Sequence, residues 1–225
     1  QEAMLTIART HTFSQESRQK LYDAIVRQYE GSGLDEPEFW KDILRQNTYT
    51  LTTGHQLNLF GGPKYFVYKI ISVLKLAKSL NETDNEFHFM PVFWMASEDH
   101  DYEEINRLQV FDNVIKTKEE HSGPVGRIEL NHFKEAYQEL KEVLGSSQKA
   151  IELKEMFDRA FEQRTLADFT RAWVHELFEG KVIIVDGDDQ ALKEMFLPVI
   201  QRELNEQITD RKVSVSNEQL DKLGY

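Results

Sequence analysis

Apolar side chains recur along this sequence at two different spacings, and the switch from one to the other marks its elements. Leu21, Ile25 and Tyr29 stand four residues apart behind Ser14-Gln15-Glu16-Ser17, a start that can cap a helix, and Gly31-Ser32-Gly33 stops the pattern. A second short helix is predicted where Phe39, Trp40, Ile43 and Leu44 share a side, so residues 1–46 read as a helical lead-in packed on the core. At Tyr49-Thr50-Leu51-Thr52-Thr53 the composition turns β-branched and aromatic and ends at a glycine, the mark of a strand. After Gly61-Gly62-Pro63 a long helix is predicted through Tyr65, Tyr68, Lys69, Ser72, Leu76 and Leu80, with Pro63 in its first turn, where the missing N–H costs nothing. Phe89 to Ala96 is nearly continuous apolar sequence, as in a strand covered on both faces, and Pro91 is expected at its beginning or at a sheet edge. These elements make a β-loop-α-β unit with a right-handed crossover.

Residues 113–165 interrupt the alternation. A short hairpin is expected within Asn113–Leu130 around Gly123, Pro124 and Gly126, followed by amphipathic helices near 131–144 and 148–163 and a third carrying Trp173, Leu177 and Phe178. Lys181-Val182-Ile183-Ile184-Val185 is a third buried strand, and a helix from about Gln190 to Leu204 follows with a kink at Pro198. The fold class is α/β: a doubly wound parallel sheet with an inserted helical region. The expected organisation is a lead-in (1–46), a first half of the core (47–112), an inserted segment (113–165) and a continuation of the core (166–225). The sequence begins Gln1-Glu2-Ala3-Met4 and stops at Leu223-Gly224-Tyr225 with no terminal element, which reads as a fragment or an excised domain.

In open α/β sheets, ligands bind outside the carboxyl ends of the strands. All three strands here run into polar segments. In the first, Thr53-Gly54-His55-Gln56, the glycine allows close backbone approach, His55 and Gln56 can hydrogen-bond, and the glycine pair leads into a helix N-terminus suited to phosphate or carboxylate. The alternative is an ordinary strand-to-helix turn whose histidine caps the helix. Lys64 does not complete a P-loop and reads as solvated. The second segment, Ser97-Glu98-Asp99-His100-Asp101, is followed by Glu103 and Glu104. Crowded carboxylates raise one another's pKa and can orient a histidine, which suits a general base, an ammonium site or a divalent metal. Its alternative is an acidic helix start with Ser97 or Asp99 as N-cap. The third, Asp186-Gly187-Asp188-Asp189, could meet a ribose hydroxyl or a metal, or cap the next helix.

Composition narrows the choices. The charge of −12, from 27 basic and 39 acidic residues, argues against a phosphate-backbone binder of nucleic acid. Without cysteine there is no disulfide, cysteine-ligated zinc or thiol nucleophile. No apolar run is long enough to span a bilayer and no signal peptide is evident, so the expected compartment is the cytoplasm. H-E-x-x-H and G-x-S-x-G motifs are absent. Trp94 and Met95 read as core, and His88, His121, His132 and His175 as scattered surface or packing residues.

Thr53-Gly54-His55-Gln56-Leu57-Asn58-Leu59-Phe60-Gly61-Gly62-Pro63, with Tyr65-Phe66 and Tyr68-Lys69 behind it, resembles the signature of the bacillithiol-synthesis cysteine-adding family, the BshC cysteine ligases. So does Pro91 to Asp101 with Glu104-Ile105-Asn106, and weaker stretches at 123–127, 166–168 and 186–189 fit in order. The resemblance implies a Rossmann-like core akin to class I aminoacyl-tRNA synthetases, with inserted connecting segments and, in the longer family members, a dimerising coiled coil. It implies a ligase that joins cysteine to glucosaminyl-malate, with ATP or a related nucleotide activating the carboxylate. Gly54, His55, Gln56, Asn58, Gly62 and Asp186 would then serve the nucleotide or substrate, and Glu98, Asp99, His100 and Asp101 amine recognition, metal coordination or base catalysis. Relatives often carry glutamine at His55, which argues against an essential proton transfer there. Two other readings stay open: a metal-dependent hydrolase using the acidic loop with Asp186–Asp189, and a noncatalytic nucleotide-binding fragment.

Overall fold

The computed structural model describes residues 2–83 and 86–224; Gln1 and Tyr225, where the expected lead-in begins and the expected core continuation ends, lie outside them. The chain forms two compact units, one reaching Asp189 and the other starting at Gln190.

The first unit opens with α1 (Glu2–Thr10) and α2 (Gln15–Tyr29). Ser14 caps α2, its hydroxyl accepting from the Ser17 N–H. The short helix at Glu38–Leu44 is 3-10 in form. Buried Arg18 joins this lead-in to the sheet: its guanidinium donates to the carbonyls of Ile43, Gln46 and Thr48. Those carbonyls give a buried cation the polar partners it needs.

β1 (Thr48–Gln56), α3 (Tyr65–Thr83) and β2 (His88–Ala96) form the expected β-α-β unit. A four-residue α4 (Tyr102–Ile105) leads into an antiparallel hairpin, β3 (Arg107–Val110) and β4 (Asn113–Lys116). The hairpin thus precedes the segment around Gly123–Gly126, which forms a 3-10 turn at Val125–Arg127 instead of the expected turn of a hairpin. Leu108 and Val110 alternate along β3 and Val114-Ile115 lie at the centre of β4, and Phe111 adopts a left-handed φ of 53° at the tip, where a glycine would have been the legible signal. Then α5 (Lys134–Leu144), α6 (Gln148–Ala160) and α7 (Leu166–Leu177) lead to β5 (Ile183–Asp186).

The sheet is parallel, in the order β1-β2-β5. Alternation sends Tyr49, Leu51 and Phe89 to a face covered by α1 and α3, through Ala8, Ala77 and Leu80. Met90 and Val92 point the opposite way and are also buried, which explains the unbroken apolar run of β2. Pro91 sits inside this central strand, not at its beginning. It pairs with Leu51 one residue before the β2–β5 ladder starts at Val92, so β2 is locally an edge there.

The second unit consists of α8 (Gln190–Glu206), which continues through Pro198, and α9 (Ile208–Leu223), closed by a left-handed Gly224. The sequence reading gave no element after Leu204; α9 follows a left-handed Gln207 that no glycine or proline announces.

Candidate functional site

The parallel register sets Gln56 beside Ala96, so the ends of β1 and β2 emerge together. Gly54, His55 and Gln56 are the last residues of β1 and not a loop after it. Across the gap, the Gln56 amide donates to Asp99 Oδ2 at 2.6 Å and to Glu104 Oε2 at 3.0 Å. The two segments singled out in the sequence are therefore joined by one side chain.

Asp99 is heavily bonded. Its Oδ1 accepts the Asp101 N–H at 2.9 Å and its carbonyl accepts the Val125 N–H at 2.7 Å. The Gln56 amide, then the backbone N–H of Asp101, hold its carboxyl below the usual aspartate range. This corrects the expectation that crowding raises it: donors outweigh the neighbouring charges, and the group stays an ionised acceptor. Such a group suits an ammonium better than it suits proton abstraction at neutral pH. Glu98, His100 and Asp101 are exposed. Asp101 occupies the N-cap position of α4 without a side-chain cap bond, and Glu103 and Glu104 fill its first turn, so part of the loop is an acidic helix start. Ser97 is no cap; it is fully buried and bonds Asp186.

His55 Nδ1 lies 2.8 Å from the Gln56 carbonyl and 3.1 Å from the Asn58 amide, and its ring packs on Tyr65 and Phe66. Burial, with a smaller push from Lys69, lowers its pKa, so the ring is neutral at pH 7. Lys69 donates to the Gly54 carbonyl at 2.6 Å, while Lys64 is exposed. A Cβ at Gly54 would make only ordinary contact with Trp94, so close packing does not dictate that glycine. Gly62 is different: its φ is +50° and a Cβ there would lie 2.7 Å from Asn58 Cγ.

A cavity of about 600 Å³ opens at this point, in the range of small-molecule sites. Its lining includes His55, Gln56, Asn58 and Gly62 from the end of β1 and the turn after it, and Glu104, Arg107 and Val114 from α4 and the hairpin. The Arg107 guanidinium has no ion-pair or hydrogen-bond partner among the described residues. The sequence reading missed it, because an arginine opening a short polar strand carries no local signal.

Asp186 stands apart. Together with Ser97, Arg127, Asp168 and Asp188 it lines a separate hollow of about 330 Å³. Buried Arg171 donates to Asp168 at 3.0 Å and to Asp186 at 3.3 Å, and Arg127 pairs with Asp188 at 2.5 Å. The three strand ends do share one edge of the sheet, but Asp186 faces its own ion network and not the β1–β2 cavity. Among the described residues no three histidine, aspartate or glutamate side chains form a set able to hold a metal. No helix of the described residues is long and apolar enough to cross a membrane.

Residues 2–225 match the family model of the bacillithiol biosynthesis protein BshC, N-terminal Rossmann-like domain. A protein of Flavobacterium psychrophilum is 39% identical over 211 residues, 91% of this chain and 40% of its own length. One of Flavobacterium johnsoniae is 38% identical over 212 residues, 92% of this chain and 40% of its own length. Both bear the name "Putative cysteine ligase BshC". The chain thus spans about 40% of the length of these relatives. With a parallel α/β core, a cavity at its strand ends and a match along essentially its whole length, this chain belongs to the BshC family as its N-terminal Rossmann-like domain.

Proposed function

We propose that the chain supplies the substrate-binding core of a cytoplasmic ligase that joins cysteine to glucosaminyl-malate in bacillithiol synthesis, with ATP or a related nucleotide activating the cysteine carboxylate. The observation that carries this reading is the cavity at the ends of β1 and β2. There Gln56 ties Asp99 to Glu104, and Arg107, without a partner among the described residues, lines the same cavity. An amide-forming reaction needs an anion-holding group for the activated acid and an acceptor for the incoming amine. Arg107 fits the first, with the Asn58 side chain in the same lining. Glu104 fits the second, with Asp99 held behind it through Gln56: it orients the amine, which attacks the activated carbonyl, expels the nucleotide leaving group and gives up its proton to solvent. Neutral His55 contributes hydrogen bonding.

The test is a chimera in which this chain replaces the corresponding segment of the Flavobacterium johnsoniae relative. Supplied with ATP, cysteine and glucosaminyl-malate, it is expected to form the cysteinyl amide. Arg107→Ala should cut kcat/KM about tenfold or more, a loss of ~1.4 kcal/mol. A folded chimera that makes no amide, or one indifferent to Arg107, overturns the reading.

A further inference from the structure

His121 and His132, scattered in the sequence, meet around one buried tyrosine. Tyr102 is the first residue of α4, directly after the acidic loop, and is 5% exposed. Its hydroxyl lies 2.5 Å from His132 Nε2 and 2.5 Å from the Thr117 hydroxyl. His132 Nδ1 in turn contacts Glu119 at 2.9 Å, and the Thr117 N–H donates at 3.0 Å to the carbonyl of Asn106, which follows α4, with the Thr117 hydroxyl 3.3 Å from the same carbonyl. The His121 ring closes the cluster at 5.8 Å from Tyr102 and 6.4 Å from His132.

We propose that Glu119, His132, Tyr102 and Thr117 form a hydrogen-bond relay that positions α4, and through it sets Glu104 and Asp99 against Gln56. The chain of contacts grips α4 at both ends: Tyr102 at its first turn and the Asn106 carbonyl at its last. Glu104 lies between those grips and is one of the two carboxylates that Gln56 bonds. A helix of four residues has almost no hydrogen bonding of its own, so its placement depends on such outside contacts. With Glu119 accepting from Nδ1–H, Nε2 accepts from the tyrosine hydroxyl, the Thr117 hydroxyl donates to the tyrosine oxygen, and the Thr117 N–H donates to the Asn106 carbonyl. Tyr102 and His132 are positioning residues, since neither lines the β1–β2 cavity. The functional meaning of the relay rests on the ligase reading of that cavity; its geometry does not.

Two readouts keep those apart. In this chain, the Gln56 side-chain amide is followed by NMR hydrogen exchange in Tyr102→Phe, Thr117→Val, His132→Asn and His132→Gln. Glutamine restores a donor–acceptor group near the Nε2 position, whereas asparagine mimics only Nδ1. Exchange should quicken about fivefold in the Phe, Val and Asn variants, the factor expected for one buried hydrogen bond, and return toward the parent rate with Gln. Equal acceleration by Asn and Gln would reduce His132 to packing, and parent-like exchange in folded Tyr102→Phe and Thr117→Val would remove the relay; either result overturns the proposal. In the chimera, the Asn variant should lower kcat and the Gln variant restore it. Altered exchange with unaltered turnover would uphold the relay and overturn the ligase reading of the cavity.

Discussion

Two polar clusters share one edge of the same sheet, and they are built to opposite ends. At the β2–β5 end the charges are matched: Arg171 holds Asp168 and Asp186, Arg127 holds Asp188, and Ser97 is buried against Asp186. At the β1–β2 end the charges are left with capacity to spare. Gln56 bonds two carboxylates without neutralising either, and Arg107 faces the cavity without a partner among the described residues. In the first arrangement each carboxylate has a cation; in the second the carboxylates have an amide and the arginine has no partner among the described residues. Residue type alone does not separate them, since both are made of acids, arginines and short polar loops. What separates them is whether the fold has already supplied the counter-charge.

The contrast is sharpest for Arg171→Ala. It strips a side chain only 3% exposed from two carboxylates, and should cost about 3–5 kcal/mol in a urea unfolding experiment, the price of an unpaired buried charge. An Arg171→Ala chain as stable as the parent would mean that the β2–β5 network is not structural. Next in size is Gly62→Ala in the wall of the cavity. The new methyl collides with Asn58 in a left-handed backbone, for a loss of roughly 1–3 kcal/mol and a displaced Asn58; unchanged stability and ATP affinity would break the assignment of Gly62 to that wall.

The smallest effect concerns acid. Gln56 holds the Asp99 carboxyl below the ordinary aspartate value, so this contact stabilises the fold above about pH 4 and fades as pH falls through the lowered value. The stability difference between parent and Gln56→Ala, at most about 1 kcal/mol at pH 7, should therefore shrink toward pH 3. A difference that grows in acid would show that Gln56 acts on something other than ionised Asp99.

Much of this was legible in the chain. Strands at 49–53, 89–96 and 181–185 and the helices between them follow from runs of β-branched and apolar residues, and the convergence of the first two strand ends follows from parallel topology. Asp186 escaped because position at a strand end does not reveal which way a side chain turns; that depends on Arg171, a neighbour fifteen residues upstream on α7. Its spacing of three from Asp168 was a usable helical-pair signal. The fate of Asp99 was unreadable for a similar reason, since its donors are Gln56, on another strand, and the backbone of its own turn. The hairpin at 107–116 was missed because its turn is made by phenylalanine in a glycine's conformation.

Gly126 sets one further condition on the molecule. Its N–H donates to the Ser97 carbonyl at 2.9 Å, and a Cβ there would lie 2.5 Å from the Ser97 side chain, while the neighbouring Val125 N–H takes the carbonyl of Asp99. The acidic loop is thus clasped, backbone to backbone, by a segment nearly thirty residues downstream. The position of the Asp99 backbone is therefore fixed from two directions, by its own turn and by the 124–127 turn, so a side chain added at Gly126 would push on both at once.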